Sequence, residues 1–357
     1  MSPAMSANAA TRDRGLIVGA DIGGTKTAIL VCDADGEVLA RHIAPTAVGA
    51  PDQAADAIAS LVQAALHEAS ATTDVVAALG IGVPGRVDRE RGQISLAVNL
   101  NWHDLPLGPR LEARLGIPTF IDNDVRAAAL GLHRRRLFGP TESLVFLAIG
   151  TGIAAGVVLD GKLHHGAHGL AGEIGHVVVQ PDGPPCACGN RGCLETIAAG
   201  PALARATLAG WAATRNGHGA AATTGHTAPD DGTPATDAEG VFAAAARGDE
   251  TATGVIANAG RAIAWGIHLL ALSYDVERIV LGGGVSHAGE PFMAPIRAEL
   301  DRLRAASPLA AEILSPDLVQ LLPAGSDAGA WGAVIVAREA LAGAGAVVAA
   351  GREVGHA

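Results

Sequence analysis

Apolar positions recur along this chain in two ways. Short, mainly apolar runs at 16–20, 28–32, 75–83, 117–121, 143–149, 153–159, 278–281 and 318–322 have the length of buried strands, and each stops at glycine, proline or aspartate. Longer stretches repeat every three or four residues instead. Within 52–69, Ile58, Leu61, Val62, Ala65, Leu66 and Ala69 share one helical face. Further helices are expected at about 125–136, 252–273, 291–304 and 327–342. Strands and helices thus alternate, with polar or glycine motifs where strands end. This order predicts an α/β architecture with ligands at the carboxyl ends of strands. Segment 160–200 is rich in Gly, His and Cys and lacks a period, so it reads as a loop region with a fixed core. Residues 212–238 are low in complexity and predict a mobile surface insertion, and 1–14 predict a flexible tail.

Composition narrows the picture. At 357 residues the chain predicts two domains or one large α/β domain. Hydrophobic residues are 49% and aromatic residues 3%, so the core must be built of Ala, Val, Leu and Ile packed around 47 glycines. The net charge of −11 lacks the electrostatic footprint of a nucleic-acid or anionic-membrane binder. No run reaches about 18 apolar residues, so no membrane-spanning helix is expected, and the polar N-terminus predicts no signal peptide. A cytoplasmic protein with small-molecule ligands fits best.

Three turns have the chemistry of phosphate contacts. Asp21-Ile22-Gly23-Gly24-Thr25-Lys26 lies between two apolar runs. It fails the Walker A pattern, because Thr25 separates the glycine from Lys26, and no helix follows as a dinucleotide fingerprint requires. A Gly-Gly turn lets backbone N–H groups approach a phosphate, with Thr25 and Lys26 for its oxygens and Asp21 for Mg2+. The same residues also read as an ordinary hairpin with a charged tip. Gly150-Thr151-Gly152 forms a second turn of this kind. Gly282-Gly283-Gly284 forms a third, between a strand and a helix start, where a nucleotide could lie against bare backbone. Together the three follow the pattern of actin-like and sugar kinase ATPases.

His176, Cys186, Cys188 and Cys193 supply one imidazole and three thiols within 18 residues. Zinc takes four such donors in a tetrahedron, and four protein ligands leave no position for a catalytic water. The expected role of Zn2+ is therefore structural. Three buried free thiols are the alternative.

These segments carry a family resemblance. Ala171-Gly172-Glu173-Ile174-Gly175-His176, followed by the cysteine cluster and Glu195, resembles the double signature of the ROK family (repressors, open reading frames and sugar kinases). The three glycine turns, Gly82-Val83-Pro84-Gly85, and Asn123-Asp124 before Ala127-Ala128-Ala129-Leu130-Gly131 match the same family. The match runs from about 15 to 340, apart from 212–238.

The resemblance implies an α/β, actin-like ATPase (ribonuclease H-like) fold, with duplicated domains and a cleft between them. It implies a small domain over 15–122, with a C-terminal helix at about 328–345 packing back on it. A large domain over 123–327 would carry the zinc loop 164–200 and the insertion. It further implies a homodimer or homotetramer that uses ATP and Mg2+ to phosphorylate a hexose. The reading adopted is a glucokinase acting on the 6-hydroxyl of glucose. Kinases for an N-acylhexosamine, mannose or fructose, a polyphosphate donor, and a non-catalytic sugar-sensing regulator are the alternatives. The short segment ahead of Asp21 argues against a regulator's helix-turn-helix.

By the same resemblance Asp124 is the catalytic base, although an Asp before an Ala-rich helix also reads as a cap. Asn123, Glu173, His176 and Glu195 fall on sugar-contacting positions. Arg86 and Arg126 depart from the family's usual residues, a proline and a small residue or Asn, and bear on which sugar is bound.

Overall fold

A computed structural model describes residues 15–46, 51–217 and 237–353. The expected tail over 1–14 and most of the expected insertion lie outside these residues. The first part of that insertion, 212–217, continues a helix, Gly200–Gly217.

β1 (Leu16–Ile22), β2 (Lys26–Cys32) and β3 (Val38–Pro45) form an antiparallel meander. β4 (Val76–Val83) pairs with β1 in parallel. A small antiparallel sheet of β5 (Arg86–Asp88), β6 (Gln93–Ala97) and β7 (Trp102–Leu105) follows. β8 (Thr119–Asn123) then returns to pair with β4 in parallel. The first large sheet has the order β3-β2-β1-β4-β8.

The second large sheet repeats this plan. β9 (Leu144–Ile149), β10 (Ile153–Leu159), β11 (Lys162–Leu163), β12 (Arg278–Gly282) and β13 (Val319–Leu321) take the order β11-β10-β9-β12-β13. β12 runs parallel to both β9 and β13. The fold is therefore a duplicated α/β unit of the actin-like, ribonuclease H-like kind.

The sequence explains how β1 becomes a central strand. It is apolar on both faces, as a strand covered on both sides must be. Helix Pro51–Glu68 lays Ala55, Ile58, Val62 and Leu66 over the face that holds Val18, Ala20 and Ile22. The C-terminal helix, Ala328–Glu353, covers Ile17 and Ala78 with Ala330, Val334 and Ala337. A Cβ on Gly80 would sit 1.8 Å from Ala333 O, so this helix rests on bare strand backbone.

Contacts divide the chain into two units, 1–141 with 156–171 and 327–357, and 142–155 with 172–326. The expectation placed a boundary at 122, ahead of helix Asp124–Arg134. That helix belongs instead to the first unit. A Cβ on Gly332 would lie 2.0 Å from Ala127 O, so the C-terminal helix crosses it at backbone distance. β3 and the small sheet were not expected. β3 is an edge strand with mixed exposure, and its alternation is broken by Arg41 and His42.

Helix Glu250–Tyr274 is long and apolar enough to cross a membrane by length and composition, against the expectation from its broken apolar runs. Its Ala, Ile and Leu residues raise its hydropathy although polar residues interrupt every run. In the structure it is a core helix of the second unit, packed by Glu290–Ala306, Leu194–Ala198, Ala238–Ala246 and Gly200–Gly217.

Candidate active site and metal centre

In the first unit, three parallel strands end side by side. Asp21 on β1 is in register with Gly82 on β4, and Gly82 with Asp122 on β8. An atom at the missing Cβ of Gly82 would lie 3.4 Å from Asp124 Cα and 3.7 Å from Asp21 Oδ1. Glycine there leaves room for both acids. Asp124 opens helix Asp124–Arg134, and Asn123 caps it by accepting from the N–H groups of Val125 and Arg126, each at 3.1 Å. The cap expected of an acid at this place is thus Asn123, and Asp124 has other work. Its Oδ1 accepts from Val125 N at 2.9 Å and from Asn123 Nδ2 at 3.0 Å, which leaves Oδ2 as the atom for a proton.

The two acids hold their protons unusually well. Burial, then the charge of Asp124, push Asp21 up to about 7, with Asp327 adding to the rise and Lys26 opposing it. Burial pushes Asp124 up to about 6, against the hydrogen bonds from Val125 and Asn123 and the charge of Arg126. Asp327 and Gly329 stand beside Asp21, a proximity that the sequence reading did not indicate. A Cβ on Gly329 would meet Asp21 Oδ2 at 2.1 Å, so the first turn of the C-terminal helix lies against this carboxylate. Asp327 also pairs with Arg41. The available signal was an Asp directly before a helix with glycines at 329 and 332.

The Gly23-Gly24-Thr25-Lys26 turn is closed by Gly23 N–H donating to Lys26 O at 2.9 Å. Thr46 braces it, its hydroxyl donating to Gly23 O at 2.7 Å. Gly24, Thr25 and Lys26 are exposed at its tip.

The second unit gathers the other glycine turns. Gly150-Thr151-Gly152 links β9 to β10, and Gly282-Gly283-Gly284 follows β12, the parallel neighbour of β9. Gly283 has φ +90°, and a Cβ on it would strike Ile149 backbone at 2.5 Å, so only glycine fits. Glu195, on helix Leu194–Ala198, accepts from Ile153 N at 2.9 Å through Oε2. The absent side chain of Gly152 makes way for that carboxylate, whose Oε2 would lie 2.5 Å from a Cβ there. Glu195 is thereby locked to the Gly152 turn, with Oε1 left over.

In the same unit the ligand atoms of His176, Cys186, Cys188 and Cys193 all lie within 4.8 Å of one another. Cys186 Sγ is 3.6 Å from His176 Nδ1, and Cys188 Sγ is 3.6 Å from Cys193 Sγ. A tetrahedron with zinc–sulfur bonds of about 2.3 Å has edges of roughly 3.8 Å, so this donor set fits such an ion. No cysteine is in a disulfide. Burial and the neighbouring thiols push Cys193 up to about 12, which a bound cation would reverse. Nδ1 of His176 faces the thiols while Nε2 lies 3.9 Å from Glu173 Oε2. Glu173 and His176 thus stand together at the edge of the cluster.

The ROK family model matches residues 17–340. A glucokinase of Streptomyces coelicolor is 35% identical over 81% of this chain and 88% of its own length. An N-acetylmannosamine kinase of Citrobacter koseri is 33% identical over 78% of this chain and 86% of its own. The crystal structure of a ROK family glucokinase from Streptomyces griseus, in complex with glucose and AMPPNP, is 33% identical. It matches with a TM-score of 0.71 and covers 91% of this chain and 100% of that one.

Proposed function

Because this chain belongs to the ROK family, we propose that it is an ATP-dependent hexose kinase, specifically a glucokinase acting on the 6-hydroxyl of glucose. The observation that carries the reading is Asp124: a carboxylate at the end of β8 with one oxygen engaged and the other available, held near the pH at which a base is useful. Glucose is the reading adopted, supported by the Streptomyces coelicolor glucokinase at 35% identity over 81% of this chain, against 33% over 78% for the Citrobacter koseri N-acetylmannosamine kinase.

A sugar hydroxyl is a poor nucleophile. Asp124 Oδ2 accepts its proton as the hydroxyl oxygen bonds to the γ-phosphorus of ATP. The bond from that phosphorus to the β,γ-bridging oxygen breaks, and ADP leaves with the electron pair. Asn123, Glu173, His176 and Glu195 are assigned to the sugar's hydroxyls, which need donors and acceptors in fixed places; for Asn123 a hydroxyl would replace Gly85 O as the acceptor of one amide hydrogen. Gly23, Gly24, Thr25 and Lys26, with Gly150, Thr151 and Gly152, are assigned to the phosphates, and Gly282, Gly283 and Gly284 to the adenosine. Asp21 would hold Mg2+ directly or through water, which supplies charge neutralisation of the triphosphate. The hard cation suits its oxygen donors and would lower the proton affinity that burial gives it. His176, Cys186, Cys188 and Cys193 would hold Zn2+, whose contribution is to pin the loop behind Glu173 and Glu195.

The proposal includes self-association as a homodimer or homotetramer, supported by the exposed Trp265, Leu269 and Leu272 along helix Glu250–Tyr274. Dependence on ATP makes the cytoplasm its place of action. The deciding experiment is an ADP-release assay with Mg2+ across a panel of hexoses. Glucose is expected to give the highest kcat/KM, preference for another hexose would move the substrate assignment, and no turnover with any sugar would overturn the kinase.

A further inference from the structure

We propose that Asp122, with its buried counter-ion Arg126, is a positioning residue that sets the orientation of the Asn123–Asp124 pair. The inference rests on the reading of Asp124 as the base. Asp122 is 0% exposed and Arg126 4%, and they face each other across the first turn of helix Asp124–Arg134 with Arg126 Nε donating to Asp122 Oδ1 at 3.1 Å. The same Oδ1 accepts from Asn123 N–H at 2.7 Å. Oδ2 forms an ion pair with Arg89 Nε at 3.0 Å and accepts from His165 Nε2 at 3.0 Å. Arg126 Nη1 continues to Gly169 O at 2.8 Å. One carboxylate therefore joins the strand end, the helix, the turn after β5 and the loop that follows β11.

The route from Asp122 to the reacting oxygen is short. Locking the Asn123 N–H orients that residue's backbone. Its side-chain oxygen is committed to the helix cap, so its amide group must face the other way. The amide donates to Gly85 O at 3.2 Å and to Asp124 Oδ1 at 3.0 Å. Asp124 is thus turned so that Oδ2 is the oxygen left to receive a proton. Against its burial, the hydrogen bond from His165 and then the charges of Arg126 and Arg89 keep Asp122 ionised, and the charge of Arg126 also helps Asp124 ionise. An isolated buried carboxylate would protonate, and one of the acceptor sites would become a donor. Misplacement of a base by about 1 Å is enough to cost on the order of 100-fold in rate.

The test is a double-mutant cycle on kcat at saturating sugar and ATP, using the full chain. Asp122→Asn is expected to lower kcat by about 10- to 100-fold with the KM for ATP unchanged. In an Asp124→Asn background the same change should produce no further fall, because its effect passes through Asp124. A purely structural role would lower both backgrounds alike, and that result overturns the proposal. So does full turnover by a folded Asp122→Asn protein when Asp124→Asn is impaired. Normal turnover by Asp124→Asn alone instead marks the failure of the base assignment on which the proposal stands. If Asp122→Asn does not fold, Arg89→Ala with His165→Ala frees the same Oδ2 from partly exposed partners. That pair should show the same coupling to Asp124, and additivity would overturn the inference.

Discussion

As the proposed base, Asp124 must be ionised to accept a proton, yet burial holds its acid form up to about 6. We expect kcat/KM to rise with pH through about 6 on the acid side, and a profile flat across that range would remove Asp124 from its role. Stability should run the other way. Both Asp21 and Asp124 are raised above the unfolded value of about 3.9, so the native state binds their protons more tightly than the unfolded chain does. Their contribution is full below about pH 4 and is lost as pH rises through about 6 and 7. Asp124→Asn should therefore lower kcat by about 10²–10⁴-fold. The same variant should melt higher than the parent protein at mildly alkaline pH, where the parent must bury the charge. A lower melting temperature there would contradict the burial argument.

Among elements, the crossing of helix Asp124–Arg134 with the C-terminal helix and the cysteine loop are the most sensitive. Gly332 has Ala127 O where a Cβ would be, 2.0 Å away, and backbone on both helices prevents local escape. Gly332→Ala should destabilise the protein by about 1–3 kcal/mol in denaturant unfolding. It should also lower kcat, because the displaced helix begins at Asp124. In the cysteine loop, Cys188→Ser should release about one metal ion per chain and lower the melting temperature. Elemental analysis of the purified protein checks this. A metal-free parent protein with full stability would show that the thiols alone hold the loop.

Over the whole molecule, one strand order is used twice, and in both units the glycine turns sit at the carboxyl ends of strands. The acidic charge of −11 spreads over this frame without opposing an anionic substrate, since Lys26 and a bound cation would screen the phosphates locally. The apolar stripe of Trp265, Leu269 and Leu272 is one of the patches that a single chain leaves in water, along with Val38, Leu39 and Ile43 on β3. Trp265→Glu is expected to shift the molar mass by light scattering toward the monomer, and an unchanged mass would place the self-contact elsewhere.

Much of this was legible in local windows of sequence. Strand runs, helical faces, the three glycine turns and the His-Cys cluster each occupy a few consecutive residues, and their chemistry follows from donor type and spacing. Asp124 was legible as an acid at a strand end, but whether it capped the helix was not, and in the fold that task falls to Asn123. The rest depended on packing between distant residues. Asp327 and Gly329 reach Asp21 from the far end of the chain, and Asp122 gathers partners from positions 89, 126 and 165. The affiliation of helix Asp124–Arg134 turned on glycines at 131 and 332. Periodicity and residue chemistry are properties of short segments, so the sequence by itself determined the elements and the candidate donors. Burial, proton affinity and the pairing of charges depend on which segments the fold brings within a few ångströms, and only the tertiary structure decided those.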